Sequence, residues 1–407
     1  MQNKILVFLC YLYFLLIPLE DFFLQDIIGS PTRIAVGLII IVYYVTGHRI
    51  NLKILPFYIY FYLLIAVASV LLWANTPDYY SIFRVTMWIV TAALFANITV
   101  YISNPSKSLF KIYTVVSLYV AYRALSYFLL TDDYGRTEVE GVNNNTLGTI
   151  FLISALFCLY NFYEKNINPI MKVFSIIGFI FFIAAIVSTG SRAAILSVGL
   201  GILIILPKSL NRIGSLILTA IVSIILVFNI NENNIFVKFA NDRFNRVEDD
   251  KGAGRVMIWK VGEEIIIDNP ILGVGFRNFP TEFKNYIDNT PLTIDETEKL
   301  GEKDYSGAHN NALEILAELG IFGFISFYML QIVICYHLYK LFHVIPITKL
   351  LFTLIITLNF NGLFGDLTNL KMYWTIIGIA SGLSYYGLKT KKVNEGSVPG
   401  LKLSTPA

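Results

Sequence analysis

Residues 171–192 read MKVFSIIGFIFFIAAIVSTGSR, a long apolar run with one lysine near its start and an abrupt change at its end to small polar residues and an arginine. A bilayer core asks for about 20 apolar residues per helix, so this stretch reads as a membrane span whose last turn opens into a polar site. Runs of the same character recur near 4–19, 33–47, 54–74, 81–103, 109–130, 147–163, 192–207, 212–230, 311–339, 347–363 and 370–388. The expected fold is therefore an all-α integral membrane protein of about 12 transmembrane helices. The first run is expected to be a retained helix, because no small-residue cleavage pattern follows it before Glu20 and Asp21.

The composition agrees. Of 407 residues, 56% are hydrophobic and only 14% charged, too apolar for a soluble chain of this length. A net charge of +3, with Lys and Arg scattered, sets nucleic acid aside as a partner. Cys10, Cys158 and Cys335 lie in apolar stretches with no CxxC spacing, so they read as small core residues and not as a disulfide or zinc framework.

Charge in the connecting turns gives an orientation. Arg49 and Lys53, Lys107 and Lys111, Lys165 and Lys172, Lys208 and Arg212, Lys340 and Lys349, and the tail Lys389, Lys391 and Lys392 fall on one side. Lys and Arg are retained in the cytoplasm, so that side is inside, with both termini. Glu20, Asp21, Asp26, Asp78, Asp132, Asp133, Glu138 and Glu140 mark the opposite turns. One connection differs from the rest: residues 231–310 form a large loop on the outer, periplasmic face, dense in charges of both signs. No fixed-period repeat appears, so residues 1–407 are expected to form one polytopic domain carrying this single elaborated loop. Within it, 255–268 has helical character, closes at Asn269-Pro270, and places Arg255, Trp259 and Gly262 on one face.

Charges at membrane depth are costly, which makes Arg84, Arg123 and Arg192 functional candidates. For Arg84 and Arg123 the competing reading is snorkelling to headgroups. Arg192 stands apart, since Ser188-Thr189-Gly190-Ser191 would let a phosphate approach backbone and guanidinium together. His309, in Gly307-Ala308-His309-Asn310-Asn311, precedes a helix start; the positive end of that helix dipole favours a neutral imidazole, the form a general base needs. His48, His337 and His343 fall on the inner side. Gly273-Val274-Gly275-Phe276-Arg277-Asn278-Phe279 lacks the strand and helix of a dinucleotide fingerprint. It reads instead as a tight turn that aims Arg277 or Asn278 at the site, with turn chemistry alone as the equal alternative.

Taken together, Ser188 to Ala194, Gly254-Arg255 with Trp259, Asn269 to Phe279, and Ala308 to Asn311 continuing to Glu318-Leu319-Gly320-Ile321-Phe322-Gly323 resemble the O-antigen ligase and polymerase superfamily. The match spans roughly residues 185–325; the first 140 residues agree only in hydropathy. The resemblance implies a multispanning, GT-C-like glycosyltransferase of the bacterial inner membrane, with its active site facing the periplasm. It implies an undecaprenyl diphosphate-linked oligosaccharide as donor, no cofactor and no metal. Carried onto this chain, Arg192 and Arg255 would hold the diphosphate and His309 would activate the acceptor hydroxyl, with Arg84, Arg123, Arg277 and Asn310 as further substrate contacts. Pro18 to Asp21 and Ser30 to Arg33 look more like the polymerase branch, which joins lipid-linked repeat units and works with a chain-length regulator protein. The alternative is a ligase that moves the finished glycan to lipid A-core. A flippase without chemistry fits less well, because transporters show paired halves with corresponding broken helices and here only the second half carries the large loop.

Overall fold

Capping residues set the helix starts before packing does. Asp78 accepts from the Tyr80 amide (3.0 Å), Asn143 from Asn145 (2.8 Å), Asn168 from Ile170 (2.9 Å) and Ser191 from Ala194 (3.4 Å), so orphan amide donors are satisfied locally. Pro31 and Pro169 stand in first turns, where a missing N–H costs nothing. The computed structural model describes residues 2–23, 30–99, 105–130, 143–206, 255–287, 290 and 307–394, and within them there is no strand.

The helices are α1 (Gln2–Phe23), α2 (Pro31–Val45), α3 (Phe57–Leu72), α4 (Tyr79–Ile98), α5 (Pro105–Leu130), α6 (Asn144–Tyr163) and α7 (Pro169–Thr189). They continue with α8 (Arg192–Ile205), α9 (Arg255–Asp268), α10 (Phe279–Tyr286), α11 (Asn311–Lys340), α12 (Ile347–Gly362) and α13 (Lys371–Asn394). A helix covers each apolar run expected from the sequence except the one near 212–230, which lies outside the described residues, as does most of the 231–310 loop beyond α9 and α10. By length and composition α4, α6, α7 and α11 can each cross a membrane, and α2, α3, α8 and α12 are shorter apolar helices.

Helix α6 is the interior one: 83% of its apolar window is buried, against 22% for α7, whose Val173, Phe174, Ile177 and Ile180 face outward. Around α6 pack α7, α8, α5 and α12, while α3 packs on α11, α1 on α2 and α5, and α4 on α13. In the last pair the two backbones approach closely. Gly378 and Gly382, one turn apart on α13, lie against the Ala92 and Ala96 carbonyls of α4, where a Cβ would collide with backbone. In lipid, where no hydrophobic force draws helices together, such small-residue contacts let backbones approach closely. Beside the main core sits a smaller one, in which Met257, Ile258, Val261 and Ile265 of α9 meet Val274, Phe279, Phe283, Ala308 and Ala317. This second core fixes α9 and α10 onto the start of α11.

Gly378→Val forces side-chain atoms into the Ala92 backbone and should destabilise the protein by about 1–3 kcal/mol, the usual cost of overpacking. Gly199→Ala on α8 has open space around it and should not lower stability. Thermal melts of both variants in detergent check this contrast; equal melting points would show that the α4–α13 contact is loose.

Candidate functional site

Helix α11 is not continuous. At Gly320 the backbone takes φ 61° and ψ −165°, which breaks the hydrogen-bond ladder inside an apolar helix. The freed groups are satisfied by the turn after α9. The Val274 and Gly275 amides donate to the Ala317 and Glu318 carbonyls (2.9 and 2.8 Å), and the Ile321 amide donates to the Pro270 carbonyl (3.0 Å). Backbone must approach backbone for this, and only glycine fits: a Cβ on Gly273 would strike Glu318, and one on Gly320 would strike Ile271. The Glu318 carboxylate accepts from the Phe279 amide at 3.2 Å and from the Arg277 amide. The glycine turn thus serves as a splint for a broken helix, which is the turn-chemistry reading.

The same turn is anchored on its far side. The Phe276 amide donates to Ser69 Oγ (2.9 Å), and its ring meets Trp88 edge-on at 6.2 Å, with Trp88 stacked on Trp374 at 5.8 Å. Thr76 Oγ1 donates to Asn278 Oδ1 at 2.5 Å and Asn75 Nδ2 to Glu282 at 2.9 Å. Asn278 is buried and points into these contacts, not into an open site. Arg277, with a left-handed φ of 64°, lies 3.8 Å from Glu314 and 3.6 Å from Asp366. Burial opposes its charge, and the combined field of Glu318, Asp366 and Glu314 outweighs that and holds its pKa above the ordinary value. Protein carboxylates therefore already neutralise Arg277, which removes it from the set of open anion-binding groups.

The start of α11 is built with equal care. Asn310 Oδ1 accepts from the Ala312 and Leu313 amides (3.1 and 3.2 Å), so this sequence-expected substrate contact is the N-cap. Immediately before it His309 holds a left-handed φ of 49°, uncommon for a residue with a Cβ. Two contacts maintain the bend: Trp259 Nε1 donates to the Ala308 carbonyl (3.0 Å), and the Ala308 amide donates to Glu314. Gly262 lies under Leu313, so the α9 face bearing Trp259 and Gly262 is the one turned to α11. Arg255, one helical turn before Trp259, shares that face and is half-buried.

Arg192 opens α8 at the same end of the bundle. Gly190 closes α7 with φ 63°, Ser191 caps α8, and the Arg192 side chain is exposed with no carboxylate partner among the described residues. A polar chain ties this point to the start of α11. Ser191 Oγ donates to Asn145 Oδ1 (3.2 Å), Asn361 Nδ2 donates to Thr149 (3.2 Å), and the Thr368 amide donates to Asn311 Oδ1 (3.3 Å), with Gly362 packed near Asn311. Arg192, Arg255 and His309 thus sit on elements held together at one end. Arg123 does not join them: α5 packs on α1, α6 and α7, and Arg123 donates to Tyr119 Oη at 3.4 Å. Arg84 lies elsewhere again, in a pocket between α1, α2, α4 and α13. Glu314, Glu318 and Asp366 escaped the sequence reading as partners of Arg277. The signal was two carboxylates one turn apart in an apolar helix, which demand a cation.

Residues 177–328 match the family model described as O-Antigen ligase, from the middle of α7 through the break in α11. The match covers 152 of the 407 residues and supports membership in the O-antigen ligase and polymerase superfamily. No curated protein matches the chain. Together with the apolar helices, the match supports a membrane protein of ligase/polymerase type, and the matched segment contains Arg192, Arg255, the splint turn and His309 while leaving Arg84 outside.

Arg277→Met leaves Glu314 and Glu318 buried without their cation. Breaking a buried pair from one side costs roughly 3 kcal/mol where, as at Asp366, one partner still reaches solvent. The variant should melt well below the parent in detergent while Arg192→Met melts with it; an unchanged melt for Arg277→Met would mean the cluster titrates instead of pairing.

Proposed function

We propose that this protein is a polymerase of surface polysaccharide, joining undecaprenyl diphosphate-linked oligosaccharide units by inverting, metal-independent glycosyl transfer at the periplasmic face of the inner membrane. The observation that carries the reading is that the starts of α8 and α11 lie at one end of the bundle, tied through α6 and α12. Exposed Arg192 begins α8, bent His309 precedes α11, and Arg255 lies one turn before Trp259, whose indole holds the carbonyl next to His309.

The chemistry asked of them is coherent. As the acceptor oxygen attacks the anomeric carbon, its proton passes to the His309 imidazole and the bond to the diphosphate oxygen breaks. The leaving diphosphate gains negative charge, which Arg192 and Arg255 stabilise in a forked geometry suited to phosphate. Attack from the face opposite the diphosphate inverts the centre. The charge pattern of the short turns supports twelve spans with both termini inside, which would put this end of the bundle in the periplasm. The family description names a ligase, so transfer of a finished glycan to lipid A-core is the second reading.

Purified protein given a lipid-linked repeat unit should produce a ladder of products on a gel; transfer only upon addition of lipid A-core would establish the ligase instead. His309→Gln, which keeps a hydrogen-bonding group but cannot take the proton, should slow turnover by about 10²–10⁴-fold. Donor lipid should still bind to that variant, whereas Arg192→Ala or Arg255→Ala should lose both. Near-parental turnover for His309→Gln would move the base elsewhere.

Orientation can be read with an impermeant thiol reagent, because Cys10, Cys158 and Cys335 are all buried and give little background. Lys284→Cys, exposed on α10, should label in spheroplasts, and His343→Cys, exposed between α11 and α12, should label only after lysis. The reverse pattern would invert the topology and put His309 on the wrong side for a lipid-linked donor presented outside.

A further inference from the structure

A pocket between α1, α2, α4 and α13 is lined by Tyr13, Thr32, Arg33, Arg84, Trp88 and Lys371 among others. Three cations line it, and they are not equivalent. Lys371 is ion-paired to Glu20, a buried carboxylate that also accepts from Thr32 Oγ1 at 2.5 Å. Arg33 and Arg84 have no carboxylate within ion-pair distance among the described residues. They are held instead by one aromatic residue. Arg33 donates to Tyr80 Oη (2.6 Å) and lies 5.8 Å from the ring centre, and Arg84 lies 4.7 Å from the same centre. Two like charges fixed on one ring repel, and no carboxylate among the described residues pairs with either. Such a pair is complementary to a doubly charged or larger anion, and two guanidiniums suit adjacent phosphates.

Thr32 and Arg33 stand in the first turn of α2 and Lys371 opens α13, so the amide ends of these two helices add positive potential. These starts share an end of the bundle with the start of α11: Lys371 follows the turn in which the Thr368 amide donates to Asn311. The Arg192 site, by contrast, is built on α6, α8 and α12.

We infer that Arg33 and Arg84 form a second diphosphate site, separate from Arg192 and Arg255, which holds the lipid diphosphate of the acceptor while its far sugar reaches His309. This rests on the polymerase reading, in which both substrates carry a diphosphate at one end and react at the other. One anion site cannot serve both at once, and the two diphosphates must stand apart by the length of an oligosaccharide unit. A bulk anionic headgroup has the same phosphate chemistry, and the experiment separates the two sources.

The probe is sugar-free undecaprenyl diphosphate, with bound equivalents counted by native mass spectrometry of the full-length protein in detergent. The parent should bind two. Arg33→Gln/Arg84→Gln should bind one, Arg192→Gln/Arg255→Gln should bind one, and Arg33→Lys/Arg84→Lys should recover part of the second. Excess phosphatidylglycerol should displace neither. A parent that binds only one equivalent, a glutamine pair that still binds two, or loss of the second equivalent to phosphatidylglycerol would each overturn the second site while leaving the Arg192 site standing. Retention of two equivalents by Arg192→Gln/Arg255→Gln would instead overturn the donor site of the proposed function. If the glutamine pair unfolds, its elution profile will show it, and the lysine pair with the phosphatidylglycerol competition still decides the question.

Discussion

A break in a membrane helix leaves amide and carbonyl groups with no water to bond, and each such group costs several kcal/mol in an apolar setting. The break at Gly320 is tolerated because the segment from Pro270 to Gly275 supplies partners for the Ala317 and Glu318 carbonyls and the Ile321 amide. That exchange makes α9 and α10 part of the bundle. Once the turn is docked, Phe276 is carried onto Trp88, Asn278 onto Thr76, and the second small core closes over Ala308 and Ala317. The turn before α11 that carries His309 is held by the same assembly.

The buried cluster of Arg277 with Glu314, Glu318 and Asp366 follows from this docking. Glu318 is needed to accept backbone amides of the turn, and a buried carboxylate requires a cation. Arg277 answers from the turn itself, at the cost of a left-handed backbone. The arrangement is a stabilising device that resembles an active site in composition, with carboxylates and an arginine buried together. What separates it from the groups proposed to hold substrate is exposure: Arg192 stands open at a helix start, whereas Arg277 is surrounded.

Helix starts do most of the positioning. Arg192 and His309 both lie at junctions where a glycine or a strained residue turns the chain and a capping side chain begins the next helix. Backbone amides at such ends point outward and favour anions, so a site for a diphosphate can be assembled without a metal ligand set. The pocket of Arg33 and Arg84 uses the same logic with different helices.

The sequence by itself determined the helical class, the placement of the apolar runs that fall in the described residues, a helix start just after His309, and the shared face of Arg255, Trp259 and Gly262. These depend on composition, periodicity and neighbours within a turn or two, so local physics decides them. It also marked Gly273 to Phe279 as a turn, but not what the turn was for. Only the tertiary structure decided that Arg277 faces carboxylates and not substrate, that Gly320 breaks α11, and that Arg33, Arg84 and Lys371 line one pocket. Arg33 and Lys371 are 338 positions apart in the chain, and no periodicity links them. Their meeting is set by the close packing of α13 on α4 and of α1 on α2, contacts between helices that sequence spacing does not encode.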